Sequence, residues 1–482
     1  MINEHVLDER LAVLEATRSW SPRVIAKLEG HIRSADDEAL FRINPLTFAG
    51  NKSLTEEEAI DLFLHATSCS LFRIDWLLLC PKCSCVVESF ASLQRVHNRY
   101  HCQICQSEFE AVLDDFIAVT FTINPELREI VFHHPERLSA QDRMFKVGGT
   151  RDGRLPDGIP FVDVQISITK AVVDLPPGET KRLEIEASEG TVMGITLEGR
   201  AAVLYPIDGP PAAEPQRFDV VFGDKVRKHT ARKAAPGTII LDIKNITSEL
   251  GTFCLALFPP GMELGHAPIH FVPFLTGKRL LTTQTFRDLF RSEVIRASEG
   301  IGVRDITLLF TDLKGSTALY DEIGDLNAFA LVQQHFDRLQ EATVRHGGAI
   351  VKTIGDAVMA TFGEPEAAVR AATDMLREIA AFNRRRPGRE LLLKIGIHKG
   401  ASIAVTLNDR LDYFGQTVNV AARVQALADA SEICLTRDVY ELPGVAAILR
   451  PSFVVESSLA SLRGIHERMS VFRATPSPDA QQ

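Results

Sequence analysis

The chain has 482 residues, more than one hydrophobic core usually supports, so we expect roughly three domains. Apolar residues make up 45% and charged residues 24% of the sequence, which excludes a disordered or collagen-like chain. The formal net charge of −10 disfavours general binding to nucleic acid or to anionic membranes.

The first residues and the apolar runs bear on the location of the protein. The start of the chain, Met1–His5, lacks the basic and apolar parts of a secretory leader. The longest apolar runs, such as Trp76–Cys80, are far shorter than the ~18 residues that span a bilayer. We therefore expect a cytoplasmic protein that does not bind membranes. In that compartment the eight cysteines favour metal ligation or free thiols over disulfides.

Changes in periodicity along the chain predict an α+β protein with several domains. Helical patterns come first, and Thr55 with Glu58 has the signature of a capping box. Short β-rich runs between Pro-Gly and Gly-Asp turns then predict an all-β sandwich or barrel. The predicted segments are 1–79, a helical region; 80–110, a cysteine-rich insert; 111–274, a mainly β domain; 275–302, a linker with a helix over 280–294; 303–475, alternating strands and helices; and 476–482, a tail. The predicted strands of the β domain are Val162–Ile168, Thr191–Leu197, Ala201–Tyr205, Ile239–Ile246 and Phe253–Phe258.

Four cysteines in the insert have the spacing of a structural zinc site. Cys80 with Cys83, and Cys102 with Cys105, form the pattern C-x2-C-x18-C-x2-C. The two pairs can complete a tetrahedron of thiolates around one Zn²⁺. Such a site has no open coordination position, so it stabilises the fold and does not catalyse. We expect a zinc-ribbon-like segment with one structural zinc per chain.

Two alternatives stay open for this insert. Cys85, His97 or His101 lie close enough in the sequence to replace one of the four ligands. Zinc ribbons also often bind nucleic acid, which would make the protein a regulator. Between Cys80 and Glu110, however, three basic residues balance three acidic ones, and a nucleic-acid interface needs a basic surface. A nucleic-acid partner is therefore disfavoured.

A carboxylate follows the first predicted strand of the last segment. The buried-strand run Ile306–Phe310 leads to Asp312 and then to Gly315, Ser316 and Thr317, which open a predicted helix. This order places a metal ligand beside backbone N–H groups that are suited to phosphate. The alternative is that Asp312 only caps the helix.

A second carboxylate weakens that alternative. The runs Ala349–Thr353 and Ala357–Phe362 are typical of two strands joined by a Gly355-Asp356 hairpin. Two carboxylates at strand ends could hold two Mg²⁺ ions against a triphosphate.

A third element follows in the run from Asp412 to Arg423. If the chain is helical from Thr417 onward, Asn419 and Arg423 are four residues apart and share one face. A neutral donor and a guanidinium on one face can stabilise a developing pentacovalent phosphate.

Together these three elements resemble the class III nucleotidyl cyclases, the adenylate and guanylate cyclases. The resemblance covers roughly residues 303–473. The N-terminal part also resembles the uncharacterised module that precedes the cyclase domain in some bacterial members. The order βαββαβαβ in the catalytic segment is compatible with a ferredoxin-like core. Its predicted strands are Ile306–Phe310, Ala349–Thr353, Ala357–Phe362, Leu391–His398 and Ile403–Leu407, and its predicted helices are Thr317–His346, Glu366–Asn383 and Val418–Ala428.

The resemblance assigns a role to each residue of the metal and base sites. It implies that Asp312 and Asp356 hold two Mg²⁺ (or Mn²⁺) ions, and that Lys352 and Asp412 read the adenine edge. It also implies a symmetric homodimer in which the metal carboxylates of one chain face the base-reading residues of the other.

The resemblance further assigns the residues that contact the phosphates. Asn419 and Arg423 stabilise the transition state, and Lys394 is a basic residue near the phosphates. Arg463 stands where the family usually has a phosphate-binding lysine. Ser316 replaces a phenylalanine found in many members, which is tolerated if backbone N–H groups do the binding.

The resemblance implies an adenylate cyclase, which converts ATP into 3′,5′-cyclic AMP and pyrophosphate by in-line attack of the ribose 3′-oxygen. Three alternatives remain. A guanylate cyclase would act on GTP. A nucleotide-sensing module would bind without turnover, but it would need the loss of a metal carboxylate or of the Asn/Arg pair, and neither is lost. The third alternative is a zinc-ribbon nucleic-acid binder with a cyclase as its output domain.

Overall fold

The structure is a computed structural model. It describes residues 2–102, 104–105, 107–198, 202–223, 232–262, 269–291, 293, 295, 300–386, 390–465 and 468–478. The chain forms two compact units. The first consists of Met1–Ser92, Arg99–Ala111 and Phe116–Leu275, and the second of Leu93–Asn98, Val112–Asp115 and Thr276–Gln482. Among the described helices, none has both the length and the hydrophobicity that crossing a bilayer requires.

The first unit begins with helices and continues mainly with strands. Its helices are α1 (Glu4–Thr17), α2 (Pro22–Ser34), α3 (Pro45–Lys52), α4 (Glu56–Ser68), α5 (Ala140–Asp142) and α6 (Phe161–Ile168). Its strands are β1 (Phe72–Leu79), β2 (Val86–Phe90), β3 (Arg99–Cys102), β4 (Ser107–Glu110), β5 (Ile117–Ile123), β6 (Gly153–Arg154), β7 (Thr169–Leu175), β8 (Thr180–Ala187), β9 (Thr191–Thr196), β10 (Ala202–Pro206), β11 (Gln216–Phe222), β12 (Gly237–Asn245), β13 (Gly251–Phe258) and β14 (His270–Phe271).

Local signals account for the starts of the N-terminal helices. The predicted capping box is confirmed: the Thr55 hydroxyl accepts from the Glu58 backbone N–H at 3.1 Å, and the Glu58 carboxylate accepts from the Thr55 N–H at 2.9 Å.

The end of the predicted helical region is a strand instead. In β1 the fully buried Trp76 pairs with Phe90 of β2 and Val119 of β5.

Two sheets form the β-rich part of the first unit. Their strand orders are β10-β9-β13-β7 and β11-β12-β8, and residues of both sheets, such as Phe222 and Phe253, share one hydrophobic core. The predicted strand Val162–Ile168 is wrong, because Phe161–Ile168 is helix α6. A short apolar run does not distinguish a strand from a helix, and in this case the tertiary contacts select the helix.

The second unit contains an eight-stranded sheet, in which seven strands follow one another and the eighth pairs with one of them. Its helices are α7 (Gly277–Leu281), α8 (Gln284–Leu289), α9 (Ser316–Ile323), α10 (Asp325–Arg345), α11 (Pro365–Arg384), α12 (Gln416–Leu427), α13 (Arg437–Tyr440) and α14 (Pro443–Leu449). Its strands are β15 (Ile301–Leu313), β16 (Ala349–Ile354), β17 (Ala357–Phe362), β18 (Leu393–Leu407), β19 (Arg410–Phe414), β20 (Glu432–Thr436), β21 (Phe453–Ser461) and β22 (Arg468–Pro476). The sheet order is β16-β17-β15-β18-β20-β22-β21, and β19 pairs with β18.

Three predicted parts of this unit differ from the structure, and β19 to β22, α13 and α14 have no counterpart among the predicted strands and helices. The predicted helix Thr317–His346 is broken at Gly324, whose φ is +76°, so α9 and α10 are separate. The strands predicted at Leu391–His398 and Ile403–Leu407 are one strand of 15 residues. The predicted linker helix is two short helices, α7 and α8, and residues 292 and 294 of that prediction lie outside the described part of the chain.

The packing of α12 on β18 depends on Gly396. A Cβ at this position would lie 2.1 Å from the backbone nitrogen of Gln425 in α12. The packed backbone of α12 would have to move away to relieve this clash, which costs free energy of folding. We expect Gly396→Ala to lower the unfolding free energy by roughly 1–3 kcal/mol and to displace α12. Thermal unfolding of the two proteins checks this. At Gly363 a Cβ would have no neighbour closer than 3.8 Å, so a Gly363→Ala protein that lost as much stability would contradict the steric explanation.

Candidate active site

Two strand ends bring the predicted metal carboxylates together. Asp312 lies next to the end of β15, and Asp356 lies in the turn between β16 and β17. Because β17 pairs with β15, the Asp356 carboxylate reaches the backbone N–H of Leu313 and accepts from it at 3.3 Å. The predicted Gly355-Asp356 hairpin is confirmed, and Gly355 has the positive φ, +64°, that the turn requires.

Lys394 lies beside these carboxylates. Its position in β18 is directly opposite Asp312 in β15, and its Nζ donates to the Asp312 carboxylate at 3.4 Å. The Asp312 side chain keeps an exposed fraction of 35%, so its remaining oxygen positions are open. Two carboxylates of this kind are the hard oxygen ligands that Mg²⁺ and Mn²⁺ prefer, with further positions left for water and phosphate oxygens.

The start of α9 provides backbone donors beside Asp312. Gly315, with φ of +75°, turns the chain from β15 into a helix that begins with Ser316 and Thr317. The first N–H groups of a helix have no partner within it, and the helix dipole adds positive potential there. This end of the site is therefore suited to an anion such as a phosphate group.

The two predicted base-reading residues are in contact. Lys352 in β16 donates through Nζ to the Asp412 carboxylate of β19 at 2.5 Å. The Asp412 side chain is 8% exposed, and its second oxygen accepts from the Tyr413 N–H at 2.8 Å. The pair presents a donor and an acceptor side by side on one protein surface.

Helix α12 carries the remaining predicted catalytic residues. It begins at Gln416, after Gly415 with φ of +140°. Asn419 is exposed and Arg423 is half-buried, and both lie on one face of the helix. Within the described part of the chain neither side chain has a hydrogen-bonding partner, so both have donors available for a ligand.

Arg463 lies close to Arg423. It is exposed, in the turn after β21. A Cβ built on Gly464, the next residue, would lie 3.4 Å from a nitrogen of the Arg423 guanidinium. Two guanidinium-bearing residues therefore flank one glycine.

A buried histidine that the sequence interpretation did not single out lies near the metal carboxylates. His335 of α10 is fully buried. Burial lowers its pKa to about 4, although the charge of Asp356 acts in the opposite direction. A neutral imidazole therefore lies behind Asp356. From sequence alone, a single histidine on the apolar face of a helix is indistinguishable from an ordinary core residue.

The four predicted zinc ligands form one buried cluster. The sulfur atoms of Cys80, Cys83, Cys102 and Cys105 all lie within 4.8 Å of one another. Hydrogen bonds among the thiols lower the pKa of Cys80 and of Cys105, in both cases through Cys102 first, and raise those of Cys83 and Cys102. Binding of a metal is therefore inferred from the geometry of the four sulfur atoms. This donor set fits Zn²⁺.

Of the alternative ligands, Cys85 is the one in contact with the cluster. Its sulfur lies 3.4 Å from that of Cys83 and 3.5 Å from that of Cys102. His97 and His101 are outside the group that the structure brings together.

Sequence comparison identifies both parts of the chain. Residues 301–464 match the model of the adenylate and guanylate cyclase catalytic domain, so the C-terminal region is a nucleotide cyclase catalytic domain of class III. The chain as a whole belongs to a family of unknown function (DUF5939), whose model matches residues 5–288. The resemblance of the N-terminal part to an uncharacterised module is thus confirmed.

Two curated relatives each match about a third of the chain. The chain is 31% identical over 146 residues to "Putative adenylate cyclase 3" of Rhizobium meliloti, a match that covers 30% of this chain and 24% of that protein. It is 29% identical over 182 residues to "Adenylate cyclase 2" of the same organism, covering 36% of this chain and 49% of that protein. The chain therefore spans less than half of either relative.

Solved structures of both cyclase types match a little over a third of the chain. The adenylyl cyclase CyaB from P. aeruginosa is 21% identical, with a TM-score of 0.33, and the match covers 37% of this chain and 97% of that one. The guanylate cyclase domain of RhGC from Catenaria anguillulae, in complex with GTP, is 22% identical, with a TM-score of 0.32, covering 36% and 98%.

Proposed function

We propose that the protein is an adenylate cyclase that converts ATP into 3′,5′-cyclic AMP and pyrophosphate. The observation that carries the choice of base is the contact between Lys352 and Asp412 at 2.5 Å. Adenine offers an acceptor at N1 and a donor at the N6 amine. Lys352 can donate to N1, and Asp412 can accept from the N6 amine. A bound adenine would then take the place of the hydrogen bond between Lys352 and Asp412.

The other residues act on the triphosphate. Asp312 and Asp356 would hold two Mg²⁺ or Mn²⁺ ions, and when bound these would supply a lower pKa for the ribose 3′-hydroxyl and charge neutralisation for the departing pyrophosphate. Lys394 and the N–H groups that follow Gly315 bind phosphate oxygens.

The donors of α12 act in the transition state. Asn419 and Arg423 donate to the oxygens around the α-phosphorus as its charge develops. Arg463 adds a second guanidinium for the phosphates. Asn419 and Arg463 are exposed and Arg423 is half-buried, so a nucleotide can reach these donors.

We further propose that the active enzyme is a cytoplasmic homodimer with two equivalent sites. ATP is a cytoplasmic substrate, and a cluster of reduced cysteines is typical of that compartment. A symmetric dimer can build each site from residues of both chains.

Product identification tests the proposed reaction. The purified protein is incubated with ATP or with GTP, in Mg²⁺ or in Mn²⁺, and the product mass is measured. We expect cyclic AMP as the main product. Finding ADP, AMP or no product would contradict the proposal, and cyclic GMP as the main product would make the protein a guanylate cyclase.

Exchanging the base-reading pair should erode the preference for ATP. Guanine reverses both edges, with a donor at N1 and an acceptor at O6, so a site built for adenine leaves buried polar groups unpaired. The double variant Lys352→Glu with Asp412→Cys carries the two residue types that are typical of guanylate cyclases at these positions. It should lower the ratio of kcat/KM for ATP to that for GTP by roughly 10²-fold. Steady-state kinetics with both nucleotides measures this ratio.

A second lysine–aspartate pair in the same unit provides the control. Lys399 donates to Asp305 at 2.8 Å. The matched double variant Lys399→Glu with Asp305→Cys should leave the ratio unchanged. Equal turnover of ATP and GTP by the wild-type protein would refute the assignment of the base-reading pair.

A further inference from the structure

The first unit contains a large concave site whose lining residues lie outside the cyclase catalytic domain of residues 301–464. It has a volume of about 500 Å³, within the range of ~300–1,000 Å³ that small-molecule sites occupy. Residues that line it include Glu38, Phe41, Arg42, Phe145, Lys146 and Ile166.

Among the described cations that line this site, Arg42 is the one without an ion pair. Its Nη1 donates to the backbone oxygen of Val147 at 2.7 Å, and its guanidinium lies over the Phe41 ring at 4.7 Å. Its Nε is buried and has no hydrogen-bonding partner. Within the described part of the chain, Arg42 forms no ion pair.

The other cations of the wall already have carboxylate partners. Lys146 contacts Glu38 at 3.0 Å and Asp142 at 3.2 Å. Arg151 contacts Asp163 at 3.0 Å. Of these three cations in the described wall, Arg42 is therefore the one whose charge is not neutralised by an ion pair.

Asp75 acts on that charge from a distance, without forming an ion pair with Arg42 in the described part of the chain. Burial raises the pKa of Asp75, and the charge of Arg42 acts in the opposite direction. Burial also lowers the pKa of Arg42 to about 10, so the guanidinium stays protonated at neutral pH but at a cost. An anion placed against it would remove part of that cost.

The protein holds Arg42 in an unusual conformation. Its φ of +50° lies in the left-handed region, which costs a non-glycine residue energy. Its backbone N–H donates to the Thr122 hydroxyl at 3.0 Å, and that hydroxyl donates to Asp75 at 2.5 Å. The segment Arg143–Val147, whose last carbonyl accepts from the Arg42 guanidinium, forms one turn of π-helix, a feature frequent at functional sites. The guanidinium is thus positioned before any ligand arrives.

We propose that this cavity binds a small organic molecule through an oxyanion, a carboxylate or a phosphate, that pairs with Arg42. The planar guanidinium fork matches either group. The apolar body of the ligand packs against the apolar part of the wall, which includes Phe145, Val162 and Ile166.

Isothermal titration of the full-length protein tests the site with three probes at constant ionic strength. These are benzoate, inorganic phosphate, and benzyl alcohol as the neutral match of benzoate. We expect saturable binding of benzoate, and binding of benzyl alcohol that is at least about tenfold weaker. Binding of phosphate in place of benzoate, with the same dependence on Arg42, would also support the site and make the ligand a phosphorylated one.

Two variants separate the site from general charge effects. Arg42→Gln should weaken binding of the preferred anion about tenfold or more. Arg137→Gln changes an exposed arginine of the same unit that does not line the cavity, and it should bind as the wild type does. Failure of the wild type to bind either anion, or an unchanged affinity of Arg42→Gln, would overturn the proposal.

A measurement on the wild-type chain covers the case in which Arg42→Gln does not fold. Phenylglyoxal modifies accessible guanidinium groups, and peptide mass spectrometry reports the extent at each arginine. A saturating anion should slow the modification of Arg42 several-fold and leave that of Arg137 unchanged. Equal rates at Arg42 with and without the anion would count against the site.

Discussion

A protein with Asp356→Asn and a protein with Asn419→Ala should each be nearly inactive alone, and their mixture should recover about a quarter of the wild-type activity. Asp356→Asn removes a proposed metal ligand from both sites of the proposed homodimer. Asn419→Ala removes a transition-state donor from both sites, which costs roughly 10²–10³ in kcat. In a mixed dimer both lesions fall in one site, and the other site is wild type.

The expected quarter follows from random pairing. About half of the dimers are mixed, and each mixed dimer has one intact site of two. The contacts within one chain are consistent with divided sites. Asp312, Asp356 and Lys394 lie together, whereas Lys352 contacts Asp412, and in the described part of the chain these two sets share no hydrogen bond or ion pair.

A second mixture provides the control for this complementation. Asp356→Asn mixed with Asp312→Asn damages the metal carboxylates of both chains, so both sites of the mixed dimer are defective and no activity should return. Native mass spectrometry with one mass-tagged chain measures subunit exchange. No recovery in the first mixture, with exchange demonstrated, would mean that each chain carries a complete site.

The parts of the site that sequence predicts well are those determined locally. Gly355 and Asp356 define a hairpin because strand-forming runs flank them directly. Gly315 and Gly415 stand before helices α9 and α12, where the backbone needs a positive φ. In each case the residues that determine the conformation are within a few positions of the residue that is positioned.

Features that depend on distant partners were not predicted. Phe161–Ile168 is helical although its composition favours a strand. The Lys352–Asp412 contact joins residues 60 positions apart, and only the family resemblance linked them. His335 and Arg42 become notable through what surrounds them, a carboxylate in one case and a cavity in the other, and neither surrounding is readable from the nearby sequence.

The largest expected effect on stability concerns the cysteine cluster. Zinc should co-purify at one ion per chain, and Cys83→Ser should lose it. Metal binding by a site that does not exist in the unfolded chain adds directly to the folding free energy. Because the four sulfur atoms are buried together, their loss of metal should lower the stability of the first unit by roughly 4 kcal/mol, or about 10 °C in melting temperature.

Two further cysteines make this test specific to the ligand set. Cys69 is a half-exposed thiol outside the cluster, so Cys69→Ser should keep both the zinc and the melting temperature. Cys85 touches the cluster but is not one of the four nominated ligands, so Cys85→Ser should also retain one zinc per chain.

Zinc content is measured by inductively coupled plasma mass spectrometry, and unfolding by calorimetry of the full chain with and without chelator. Loss of zinc from Cys85→Ser but not from Cys83→Ser would assign the fourth ligand to Cys85. A metal-free wild-type protein whose melting temperature zinc does not change would show that the four thiols are only packed together, because a closed tetrahedral thiolate site cannot bind its ion without stabilising the fold around it.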